Sequence, residues 1–237
     1  MKTSPAIPDP QLRPEGPPAA GPAREPRRRR GAGERRAEIL RAAARCFGTR
    51  GFHGTTTRDV AAAVGITEAA LYRYFTGKEA IYAAILDARI AAPDPIAPLE
   101  PAARAGDDRG VFAGLALALL QSVEADPSFL RLLLYSALEG HEMATPFHQP
   151  RIRSFREFLS GYIARRTREG AFRGVDPALG ARAFIGMVVD HLIVRQVFGQ
   201  RDVYPQPPEQ VAETFVSIFL DGVRAPAGAG EGRAERG

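Results

Sequence analysis

The chain has 237 residues, 45% of them apolar, and a net charge of +5 from 32 basic and 27 acidic side chains. That length admits one large domain or two smaller ones with a packed core. No run approaches the ~18 apolar residues of a membrane helix, and a single cysteine, Cys46, excludes an intramolecular disulfide framework.

The excess charge is local. Residues 24–50 carry ten Arg against Glu25, Glu34 and Glu38, a net +7, whereas 1–23 and 51–90 each sum to zero and 91–237 to −2. Positive charge focused on one segment is the electrostatic footprint of nucleic-acid binding.

Residues 1–33 read as a disordered arm: eight of the 20 prolines lie in the first 26 positions, and such a segment buries too little surface to offset its ordering entropy. The four arginines at 27–30 form a basic stretch that can follow phosphates or enter a minor groove; a plain disordered tail is the other reading. No apolar h-region marks a secretory signal, and the lone thiol is compatible with a reducing cytosol, so a cytoplasmic protein is expected.

From 34 to 49, Ile39, Leu40, Ala43, Ala44 and Phe47 recur at helical spacing and predict an amphipathic helix ended by Gly51. Thr56 with Asp59 three residues on predicts a capping box for a second helix over 57–64, which Gly65 stops. Thr67 caps a third helix over 68–75, and Thr76 with Glu79 predicts another capping box opening a fourth helix over 78–91. Two short helices joined by a glycine-containing turn of about three to four residues form the unit that sets its second helix in a DNA major groove.

These residues carry a resemblance. The run Phe47, Gly51-Phe52, Thr55-Thr56, Arg58-Asp59-Val60-Ala61, Gly65-Ile66-Thr67, Leu71-Tyr72-Arg73-Tyr74-Phe75 and Lys78-Glu79 is similar to the DNA-binding domain of the tetracycline-repressor (TetR) family. The similarity spans residues 34–90. It implies an all-α protein with a helix-turn-helix DNA-binding domain over 34–92 and a helical effector-binding and dimerisation domain over 93–223; residues 224–237, rich in Ala and Gly, read by composition as a disordered tail.

In the DNA-binding part, the N-terminal residues of the recognition helix, Thr67, Glu68, Ala69 and Ala70, face base edges. Glu68 can accept from a cytosine N4 amine, the two alanines offer only methyl contact, and Arg58 can bridge O6 and N7 of guanine. Tyr72 and Tyr74 have hydroxyls for phosphate, Thr57 sits at a helix start, and Lys78 occupies a first turn where the helix dipole favours an anion. The resemblance implies operator contacts at Thr57, Arg58, Glu68, Ala69, Ala70, Tyr72, Tyr74 and Lys78; Thr56, Thr67 and Arg73 complete the expected DNA-binding set.

The prolines at 93, 95, 98 and 101 mark a domain boundary. Beyond it, helices are predicted over 108–125, 127–139, 146–169, 177–199 and 207–223, with Pro127, Pro177 and Pro208 in first turns and Asp126 and Asp176 as caps. The 177–199 helix is apolar almost all round and must be covered on every side. Its Phe184, Val188, Ile193 and Phe198, with Val211, Phe215, Ile218 and Phe219 of the last helix, are the expected dimer interface. The resemblance implies a four-helix dimer bundle of these two helices and their symmetry mates, which sets two recognition helices on a palindromic operator.

A small hydrophobic or amphipathic effector is implied by the same resemblance, its identity open. Phe112, Leu115, Leu119, Phe129 and Leu133 are candidate pocket residues, as are Phe147, Phe155, Phe158, Tyr162, Met187 and His191, although most of them read more readily as ordinary core. His141, Glu142 and His148 lack metal-site spacing, so neither metal nor cofactor is expected, and without a Gly-x-Ser-x-Gly elbow or Walker loop neither is catalysis. The functional expectation is a ligand-responsive repressor; the alternative is an architectural DNA binder with no effector.

Overall fold

The computed structural model describes residues 31–140 and 150–224. Ten α-helices are found there: α1 (Ala32–Arg50), α2 (Thr57–Val64), α3 (Glu68–Leu71), α4 (Lys78–Ile90), α5 (Glu100–Ala105), α6 (Asp108–Ala125), α7 (Ser128–Leu138), α8 (Pro150–Arg168), α9 (Pro177–Gln196) and α10 (Pro208–Val223). Of the arm expected over 1–33, residues 1–30 lie outside the described residues, as do His141, Glu142, Phe147, His148 and the tail from 225, whereas Gly31 is the N-cap of α1 and residues 32–33 are its first turn.

The short helices owe their ends to local chemistry. The Thr56 hydroxyl accepts from the Asp59 N–H, and the Asp59 carboxylate accepts from the Thr56 N–H at 2.9 Å, so the predicted capping box is formed. Gly65 ends α2 at φ 72°, the left-handed conformation that glycine adopts without penalty. Thr67 caps α3 by accepting from the Ala70 N–H.

Two expectations fail here. Helix α3 is a single turn through Leu71, not a helix to residue 75, because the Arg73 and Tyr74 N–H groups bond three residues back, to the Ala70 and Leu71 carbonyls, and tighten the chain out of α-helical register. The Thr76 capping box does not form: Gly77 in extended conformation is the N-cap of α4, leaving Glu79 one position short of the box geometry.

Two apolar cores result. One gathers Ile39, Ala43 and Phe47 of α1, Val60 and Ala61 of α2, Leu71 and Phe75 around α3, and Ile81, Tyr82 and Ile85 of α4. The other is built around α6, with α9 and α10 against it and α8 on α9. At its centre Phe112, Phe184 and Phe219 pack with ring centroids 4.8–5.2 Å apart.

Chain order and core membership part company at α7. Leu132 and Leu133, well past residue 93, belong to the first core, and Phe129 packs against it. Leu133 and Phe129 therefore support the N-terminal helices instead of lining an effector pocket. Residues 93–107 also hold more structure than a linker, namely a 3-10 turn at Ala97–Leu99 followed by α5.

The α9 helix corrects the reading that no segment has membrane-helix character: its 20 residues are long and apolar enough by length and composition alone. Only 33% of its most apolar window is buried within the subunit. An ion pair on α9, Arg195 to Glu124 of α6 at 2.9 Å with both side chains largely buried, ties it into the folded core.

Candidate nucleic-acid interface

The site is assembled from the first turns of α2, α3 and α4. Thr57, Glu68 and Tyr72, distant enough in sequence to be read as separate DNA contacts, meet as one cluster. The Thr57 hydroxyl donates to a Glu68 carboxylate oxygen at 2.5 Å, and the Tyr72 hydroxyl lies 3.4 Å from the same Thr57 oxygen. Tyr72 is about half exposed, and Arg58, Thr67, Ala69 and Arg73 are exposed or half-exposed beside it. Ala70 is half-buried.

Three predicted contacts carry structural duties. Thr56 donates to Asp59 and accepts from it, so its hydroxyl is committed to the cap. Tyr74 is half-buried and packs against the first core. The Lys78 ammonium donates to the Phe52 carbonyl at 3.1 Å and stands 4.5 Å over the Phe52 ring, leaving two of its three N–H groups for a phosphate.

Sequence reasoning did not anticipate the pair that braces this surface. Arg50 at the end of α1 donates to Asp59 at 2.8 Å. Hydrogen bonds from Thr56 and then Arg50 hold the Asp59 carboxyl well below its usual range, at about 2. Similarly unforeseen, Arg36 stacks over the Phe75 ring at 5.0 Å. An arginine near a helix-turn-helix gives no sequence signal of which ring or carboxylate it will meet.

The predicted dimer residues divide by exposure. Phe184, Val188, Val211 and Phe219 are buried within the subunit and are reassigned to its own core. Phe198 and Ile218 are exposed, and Ile193 and Phe215 half-buried. Leu179, Ala183 and Gly186 extend the outward side of α9.

Most of the predicted effector residues lie in the second core. Phe112 and Leu115 are fully buried, Tyr162 nearly so, and Leu119, Phe155, Phe158 and Met187 pack partly buried against them. The Tyr162 hydroxyl donates to Asp108, which also pairs with Arg166 at 2.8 Å, and burial pushes the phenol up. His191 sits edge-on to Phe215 and Tyr204, and burial pushes its imidazole down. Phe158 and Tyr162 also line a surface cleft of about 360 Å³ between α5 and α8, with Glu100, Arg104 and Arg165 on its walls.

Two short helices bracketing a glycine turn, with exposed arginines beside them, define a helix-turn-helix DNA-binding protein. Residues 39–85 match the model described as "Bacterial regulatory proteins, tetR family", and residues 114–222 match "AefR-like transcriptional repressor, C-terminal domain". The chain belongs to the TetR family of transcriptional regulators. It is 28% identical to the HTH-type transcriptional repressor KstR2 of Rhodococcus jostii, across 81% of this chain and 92% of that protein. It is also 28% identical to the HTH-type transcriptional regulator TtgR of Pseudomonas putida, across 68% and 80% of the two chains. Among solved structures, the TetR-family regulator PfmR from Thermus thermophilus superposes with a TM-score of 0.62 at 26% identity, covering 81% of this chain and 98% of that one. AibR, solved with isovaleryl coenzyme A and operator DNA, shares the fold at a TM-score of 0.54 and 23% identity, covering 78% and 98%.

Proposed function

We propose that this DNA-binding regulator is a cytoplasmic homodimer that represses transcription from a palindromic operator and is released by a small hydrophobic or amphipathic effector. The observation that carries the reading is the outward face of α9 and α10, where Leu179 is 66%, Phe198 68% and Ile218 59% exposed on and beside two otherwise well-packed helices. Apolar surface of this kind is stabilised by a second apolar surface. A two-fold axis through it pairs the recognition helices for a palindrome.

In this reading α1–α4, together with α7, form the DNA-reading head, and α6 with α8–α10 form the effector and dimer body. The apolar interior around Phe112, Leu119 and Met187 supports an effector with a large apolar part. Helix α7 is the coupling element. It joins the head through Leu132 and Leu133, and its Arg131 donates to the Gln196 carbonyl at the end of α9. An effector that repacks α6 against α9 moves α7, and α7 carries the head.

The test is sedimentation of the wild type and Ile218→Glu, alone and with operator DNA. A dimer in the wild type, a monomer in Ile218→Glu and loss of operator affinity in the monomer support the reading. A wild-type monomer that binds operator at full affinity refutes it.

A further inference from the structure

In the Thr57–Glu68–Tyr72 cluster, Thr57 is the donor and the Glu68 carboxylate the acceptor. A threonine hydroxyl has one proton. Spent on Glu68, that proton is not there for a DNA phosphate, which offers only acceptors. Thr57 can then reach the backbone only through its N–H group in the first turn of α2.

The consequence for Glu68 is orientation. One carboxylate oxygen is held by Thr57, so the other is fixed at the N-terminal end of α3, the end of a recognition helix that meets base edges. Its neighbours there, Ala69 and Ala70, have no polar group beyond the backbone. A carboxylate can only accept. Guanine and thymine show it acceptors in the major groove, and adenine flanks its amine with N7 on its own edge. Cytosine presents N4 with a C–H beside it, and so is the base a single fixed oxygen tolerates best.

The geometry points to Glu68 as the residue that demands a cytosine in each operator half-site, with Thr57 as its positioning residue and not a phosphate clamp. This assignment rests on the operator-binding reading above and names the base that reading leaves open.

The test is selection of binding sites from random duplex DNA by the full chain, run in parallel for the wild type, Glu68→Gln, Thr57→Val and Thr57→Ser, each checked for an unchanged melting transition. The wild type is expected to select a palindrome with an invariant cytosine in each half. Glu68→Gln is expected to exchange the cytosine for a base with a major-groove acceptor, guanine or thymine, since its carbonyl oxygen stays with the Thr57 hydroxyl and the free amide N–H group donates. Thr57→Val is expected to lose about tenfold of the discrimination at that position alone, with its salt slope unchanged, and Thr57→Ser to keep it. An unaltered base preference in Glu68→Gln overturns the assignment. So does a Thr57→Val protein that selects the same sequence but binds every sequence more weakly with a shallower salt slope, the mark of a lost phosphate contact. Enrichment of no palindrome at all by the wild type would instead refute the operator reading, and this assignment with it.

Discussion

The Tyr82 hydroxyl meets the Ser136 hydroxyl at 2.7 Å, a buried contact that fastens α4 to α7. Those two helices come from opposite sides of the proline-rich segment at 93–101, and the contact joins α7 to the helices of the first core. Tyr82→Phe should cost about 1 kcal/mol of stability, the usual net value of a buried hydrogen bond. A double-mutant cycle with Ser136→Ala in urea should show coupling of about 0.5–1.5 kcal/mol. Strict additivity would mean that the two hydroxyls do not support each other.

Gly48 lets α1 and α7 cross closely. A Cβ built there would lie 2.8 Å from the Ser128 carbonyl oxygen and 3.2 Å from the Arg131 Cβ, so the helices would have to separate. Gly48→Ala should lower stability by about 1–3 kcal/mol despite the better helix propensity of alanine. Thermal unfolding checks it; a raised melting temperature would show that the crossing has slack.

Asp59 makes acid stability depend on the cap. Its carboxyl titrates at about 2 in the fold against 3.8 without its partners, so between those values the unfolded chain holds the extra proton. The contribution is fully present above pH 3.8 and is lost as pH falls toward 2. Asp59→Asn should flatten the fall in urea midpoint over that interval. An unchanged slope would assign the acid sensitivity to other carboxylates.

Lys78 has an internal role, and the proposed operator reading gives it a phosphate contact as well. Removing its ammonium takes a hydrogen bond from the Phe52 carbonyl and a cation from the Phe52 ring. Lys78→Ala should therefore lower stability, weaken binding to all DNA sequences about equally and reduce the salt slope by about one unit. Mobility shifts across a salt series separate the outcomes: strong loss on one operator with unchanged non-specific affinity would make Lys78 a base-reading residue.

Helix ends were legible in the sequence where the groups that make them are near neighbours. The Thr56–Asp59 box and the Gly65 stop depend on residues three to five apart, and both are formed as read. The Thr76 box was not, because the chain leaving the single turn of α3 makes Gly77 the cap. Tertiary partners left no trace in spacing. Nothing in the α7 sequence says that Leu132 and Leu133 turn to the first core, or that the Thr57 hydroxyl is spent on Glu68. An all-round apolar helix such as α9 equally hides which of its sides faces its own subunit: Phe184 and Val188 are inside, Leu179 and the Phe198 that follows the helix outside.

Operator reading by a dimer is measured most directly as binding to genomic fragments, the DNA upstream of its own gene among them, by mobility shift over a salt series followed by footprinting. One protected palindrome is expected, bound by two protomers, with affinity that falls steeply as salt rises. Equal binding to every fragment with no protected site would contradict it and leave an architectural DNA binder in its place.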